Sequence, residues 1–216
     1  MSRVHNVTFH GVGDPGRGLG PGEAAVWIDA DALVASLGAI RDRRDVRITF
    51  DDSNRSDVDI ALPALLERGL TATFFVLAGR LGEPEHLAED DIRRLVQSGM
   101  TIGSHGMDHV DWRSLNSAAL QRELVASRQI LERITGSSIT AASVPFGSYD
   151  RRVLSAARSI GGYRHIYTSD GGDASRGSWL QPRNTVHGSD PRAALAPARP
   201  VAKITVAMKS RAKRWR

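Results

Sequence analysis

The chain has 216 residues, enough for one domain with a substantial core. Its 41% hydrophobic and 25% charged content is that of an ordinary globular protein, and no run approaches the roughly 20 apolar residues of a membrane span. With no cysteine, disulfides and thiolate metal sites are excluded, and any metal must sit on histidines and carboxylates.

The first strand-like run covers residues 4–10. The segment "GVGDPG" at 11–16 matches GxGxxG, but phosphate binding needs a helix N-terminus directly after the glycines. Pro15, Gly16, Gly18, Gly20, Pro21 and Gly22 keep the chain irregular past that point, so it reads as a loop. Helical patterns then cover 29–43, 58–68, 90–98, 117–135 and 149–159. Strand-like runs lie between and after them at 47–50, 72–77, 101–104, 139–144, 164–168 and 183–186. Asn116 reads as an N-cap and Gly136 as a helix stop. Asp57 and Asp59 read as acids favouring a helix N-terminus.

Alternation of this kind predicts a mainly parallel α/β fold, and about seven strands leave room for a barrel. One domain over residues 1–190 is expected, followed by a basic, partly helical tail at 191–216. Lys203, Lys209, Arg211, Lys213, Arg214 and Arg216 carry that tail without an acid, against a net charge of +5 for the chain. It could touch an anionic membrane surface or simply be solvated. No nucleic-acid motif accompanies it, so no nucleic-acid partner is expected. The N-terminal "MSRVHNVTFHGVGD" lacks the apolar segment of a signal peptide, which makes the cytoplasm the expected location.

In parallel α/β folds reactive groups gather where strands end. Asp51 and Asp52 follow the second predicted strand, His105 and His109 the fourth, and "SVPFGSYD" at 143–150 finishes the fifth. Two imidazoles and one carboxylate make a three-ligand divalent site with open positions, leaving the second carboxylate free to accept a proton. Zn²⁺ suits such donors best, and Co²⁺, Mn²⁺ and Fe²⁺ are compatible.

"TFDDS", "HGMDH" and "PFG", in this order, resemble the first three motifs of the polysaccharide deacetylases of the NodB-homology, carbohydrate esterase family 4 type. The resemblance extends over roughly residues 4–187. It implies a distorted (β/α)7-type barrel and metal-dependent removal of acetyl groups from an N-acetylated glycan. By this resemblance Asp51 is the base, and Asp52, His105 and His109 are the metal ligands. Phe146 supplies an oxyanion-binding N–H in a loop shaped by Pro145 and Gly147, and His187 is the general acid. His10, Trp112, Asp170 and Trp179 are candidates for substrate contact or support.

The chain departs from the family pattern at Ser53 (usually glycine), Gly106 (usually a hydroxyl residue) and Val110 (usually proline). Ser143 stands where many members carry an arginine that orients the base, and Arg183 is the candidate replacement. Other readings of the same fold are a non-catalytic glycan-binding relative, or a metal-dependent esterase or small-amide hydrolase.

Overall fold

Residues 3–20 and 22–196 are described by the structure, a computed structural model. Residues 197–216 of the predicted basic tail, with all six of its named basic residues, therefore lie outside the described residues.

Seven strands run parallel. They are β1 (Arg3–Phe9), β2 (Val46–Phe50), β3 (Ala72–Val76), β4 (Thr101–Ser104), β5 (Ala141–Ser143), β6 (His165–Thr168) and β8 (Leu180–Thr185). They neighbour one another in that order, β8 pairs with β1, and β1 with β2, which closes the ring. This is the distorted (β/α)7 barrel expected from the sequence. An eighth strand, β7 (Ala174–Ser175), pairs antiparallel with the start of β1. At two residues it is too short for any periodic signal.

Helices wrap the outside: α1 (Ala30–Ile40), α2 (Leu62–Glu67), α3 (Glu89–Gln97), α4 (Ser117–Gln121), α5 (Ser127–Thr135) and α6 (Arg151–Ser159). A π-helical turn at Asp57–Ala61 leads into α2, and another at Arg122–Ala126 joins α4 to α5. The caps follow local chemistry. Asp29, Asn116 and Asp150 each accept a hydrogen bond from the backbone N–H three residues on, and Gly136 ends α5 at φ 65°. Among the described residues no helix is long and apolar enough to cross a membrane.

Strand parity divides the interior in two. On β1, Val7 and Phe9 join the apolar layer under the helices, where Phe9, Phe50 and Phe74 stack in register across β1, β2 and β3 at 5.2 and 4.9 Å. Such ring pairs add about 0.5–1.5 kcal/mol each beyond burial. The alternate residues line the lumen, which is unusually polar: Asn6, Thr8, Thr49, Ser143, Gln181 and Arg183 are all buried there beside Phe75 and Tyr167. Gly103 is a glycine because a Cβ would come within 2.5 Å of the Phe75 ring.

Candidate active site

Asp51 continues the parity of Thr49 and so points toward the lumen. Ordinary strand geometry would send Asp52 the opposite way. Instead the chain leaves the strand in the left-handed region, at φ 78° for Asp52 and 61° for Ser53. The turn brings both carboxylates to one mouth. His109 (φ 54°) and Phe146 (φ 56°) share this conformation, and such strain clusters at functional sites. At Ser53 it is tied down, since the hydroxyl accepts a 2.7 Å hydrogen bond from the Leu77 N–H at the end of β3.

Asp52 Oδ1 lies 3.2 Å from His105 Nε2 and 3.4 Å from His109 Nε2. The three donor atoms fall within 4.8 Å of one another, yet Asp52 Oδ1 is buried without a hydrogen-bond partner. His105 Nδ1 donates to the Ser143 carbonyl at 3.0 Å, which leaves the Nε2 lone pair facing the carboxylate. Lone pairs converging in a dry site repel, and a divalent cation resolves that repulsion. The residues present therefore fit a metal ion.

The charges agree. Burial opposes ionisation of Asp52, but His105, His10 and His109 outweigh it and hold its carboxyl far below the usual range. His105 is raised because Asp51 and Asp52 overcome its desolvation. Burial and the neighbouring His105 push His109 down to about 4.

Arg183 projects from β8 into the lumen and is 1% exposed. Its Nη1 and Nη2 meet Asp51 Oδ1 and Oδ2, both at 2.7 Å. Nη2 also donates to Ser143 Oγ at 2.6 Å, whose own hydroxyl donates to Asp51 Oδ2 at 3.1 Å. Thr8 and Thr49 share the second Nη1 hydrogen, and Nε points to the Thr168 carbonyl. Burial alone would raise the Asp51 carboxyl, but Arg183, His105 and His10 hold it below its ordinary value, so it stays ionised at neutral pH.

A cavity of about 620 Å³ opens above these groups, lined by both aspartates, His105, His109, Phe146, His10 and His187. Phe146 is 66% exposed and packs on the His109 ring at 4.4 Å. Its N–H meets no backbone acceptor among the described residues, while Gly147 and Ser148 bond back to Val144 and Pro145. His10 is half-buried with Nδ1 unpartnered, and His187 sits exposed at the rim.

Other candidates lie elsewhere. Trp112 has no exposed surface and donates through Nε1 to Glu123, so its ring is packing rather than a sugar platform. Trp179 donates to the Tyr163 carbonyl and stacks under Arg158, outside the cavity lining. Asp170 accepts from Tyr149 and Thr168, also outside it.

Several lining residues carried no sequence signal. The glycine-rich loop forms one wall, where Arg17 pairs with Glu23 and donates to Asn54 at 3.2 Å. Arg80 enters from the short turn at Ala78–Arg80 that follows β3. Asp57, read as a helix-end acid, is buried behind the aspartates. Desolvation and the charges of Asp52 and Asp51 keep its carboxyl well above the usual range.

Fold and donor set together define the class: a parallel (β/α)7 barrel with an Asp-His-His cluster able to hold a cation at its C-terminal mouth. The polysaccharide deacetylase family profile matches residues 39–165. The Bacillus subtilis (strain 168) protein YxkH, named for this family, is 32% identical over 146 residues, covering 66% of this chain and 52% of its own. A Rhizobium leguminosarum bv. trifolii chitooligosaccharide deacetylase is 29% identical over 121 residues, covering 56% and 54%. The crystal structure of a Bacillus cereus polysaccharide deacetylase superposes with a TM-score of 0.78 at 19% identity, covering 89% of this chain and 67% of the other. A Streptococcus pyogenes deacetylase solved with acetate gives 0.76 at 20% identity, covering 90% and 99%. The chain belongs to the polysaccharide deacetylase family. It spans about half the length of the curated relatives it matches.

Proposed function

We propose that this protein is a metal-dependent hydrolase that removes acetyl groups from N-acetylated sugars of a glycan. One observation carries the reading: the Asp52–His105–His109 donor set lies beside an ionised Asp51 gripped by Arg183, at the floor of a cavity open to substrate. Those three residues would hold a divalent cation, which would supply Lewis acidity toward the acetamide carbonyl and the attacking water. Zn²⁺ suits the donor set best.

Asp51 accepts the proton of the attacking water. A carboxylate offers about four lone-pair sites. Arg183 and Ser143 occupy three, leaving capacity for that proton. Arg183 fixes the plane of the carboxylate and keeps it ionised. The Phe146 N–H donates to the oxyanion that develops on the acetamide oxygen. An imidazole then protonates the departing amine. His187 is the acid that the resemblance implies, and His10 is a second candidate because it lines the same cavity with its Nδ1 unpartnered.

The test is acetate release from N-acetylglucosamine oligomers by protein stripped with chelator and reloaded with Zn²⁺ or Co²⁺. Loss on stripping, recovery on loading, and loss in Asp51→Asn with metal still bound are expected. Release only from O-acetylated glycan or small amides would change the bond assigned. Metal binding without release from any of these would indicate a glycan-binding relative.

A further inference from the structure

The loop carrying the two histidines is held almost residue by residue from the helical layer behind it. The Gly106 N–H donates to Ser104 Oγ at 3.1 Å, and Ser104 Oγ bonds Ser127 Oγ at 2.9 Å. The Met107 N–H donates to Glu123 Oε2 at 2.8 Å. Asp108 forms an ion pair with Arg122. Arg122 and Glu123 are consecutive, and both lie in the π-helical turn between α4 and α5. Such turns recur at functional sites.

Glu123 is the centre of this clamp. Its side chain is 2% exposed, and Oε2 also accepts from Trp112 Nε1 at 3.3 Å. A Cβ at residue 106 would sit 2.3 Å from that same oxygen. The carboxylate thus fills the space beside residue 106, and glycine there, at φ 88°, lets it approach. His105 and His109 flank the clamped residues on either side.

We infer that Glu123 is a positioning residue that sets the affinity of the Asp-His-His site through its acceptor oxygen on the Met107 N–H. The inference rests on the metal-site reading of Asp52, His105 and His109. Supporting groups around metal ligands change affinity by about 10–100-fold when removed.

The test titrates metal-free protein with Co²⁺ alone, read by the visible absorption of the bound ion, alongside thermal melts of each metal-free variant. Glu123→Ala is expected to weaken Co²⁺ binding by about 10–100-fold. Glu123→Gln keeps an oxygen in reach and is expected to stay close to wild type. Glu123→Asp keeps the charge but withdraws the oxygen by one methylene, and is expected to fall between Gln and Ala. Glu123→Ala that folds and binds Co²⁺ like wild type overturns the inference. So does Asp matching wild type while Gln binds as weakly as Ala, because charge and not acceptor position would then matter. If Ala does not fold, the order of Gln and Asp decides. Failure of the wild-type protein to bind Co²⁺ removes the metal reading and this inference with it; unchanged affinities in the variants remove the inference alone.

Discussion

Arg183 and Asp51 meet as a two-pronged ion pair in the barrel lumen, both contacts at 2.7 Å, with Ser143 Oγ bridging one prong. A buried pair of this kind is sound only when its remaining donors are satisfied, as Thr8, Thr49 and Thr168 do here. Arg183→Met leaves Asp51 buried without its counter-charge. It is expected to destabilise the protein by about 3–5 kcal/mol. Acetate release should fall by at least about 100-fold, the lower end of what a positioned base contributes. Urea melts and steady-state assays read the two losses. Since position 143 lies against the same carboxylate, Ser143→Arg combined with Arg183→Ser is expected to recover part of both. A double variant no better than Arg183→Met would show that the guanidinium must come from β8.

The proton donor is separable from the metal site. Substituting the acid is expected to lower kcat by about 10²–10⁴-fold while Co²⁺ affinity is retained. His10→Ala and His187→Ala measured side by side identify it. A large kcat loss in His187→Ala with His10→Ala near wild type assigns His187, and the reverse assigns His10. Two near-normal variants would mean that neither imidazole protonates the amine.

Asp57 carries a pH signature. Its carboxyl is raised in the folded protein by burial and by Asp52 and Asp51, so above the unfolded value the folded state holds the extra proton. Stability contributed by that proton is full below the unfolded pKa and is lost as pH rises toward the folded one. The limiting slope is about 1.4 kcal/mol per pH unit for one proton. Asp57→Asn removes this contribution, so metal-free protein should lose less stability between pH 5 and 8 (about three pH units) than wild type does. Parallel slopes in urea melts would refute the assignment.

Ser53 combines a left-handed backbone with a hydrogen bond to the Leu77 N–H. Ser53→Ala keeps the strain and orphans a buried donor, costing about 1–3 kcal/mol. Ser53→Gly also loses the bond but relaxes the backbone, so it is expected to cost less. Equal losses in denaturant melts would mean that the φ of 61° carries no strain.

Much of the molecule was legible in the sequence because its signals are local. Strand-like and helical runs marked the seven parallel strands and the helices, and Asn116 and Gly136 marked the start of α4 and the end of α5. Adjacent carboxylates and paired histidines at strand ends marked the mouth, since in a parallel barrel those ends share one face. Glu123 gave no signal because it lies in mid-helix, where a glutamate ordinarily reads as solvated. The short β7 and the wall built from Arg17 and Glu23 gave none either, since neither has periodicity. A loop position does not tell which way a ring turns: Trp112 turned inward onto Glu123, and Trp179 packs on Tyr163 and Arg158 outside the cavity.

The chain by itself determined its elements, its family and the residue types at the mouth. Only the closed barrel decided which of them touch. Arg183 is 132 residues from Asp51 along the chain, and ring closure through β8, β1 and β2 brings them together. Strand parity then turns both side chains into a lumen too dry for either charge to stand alone.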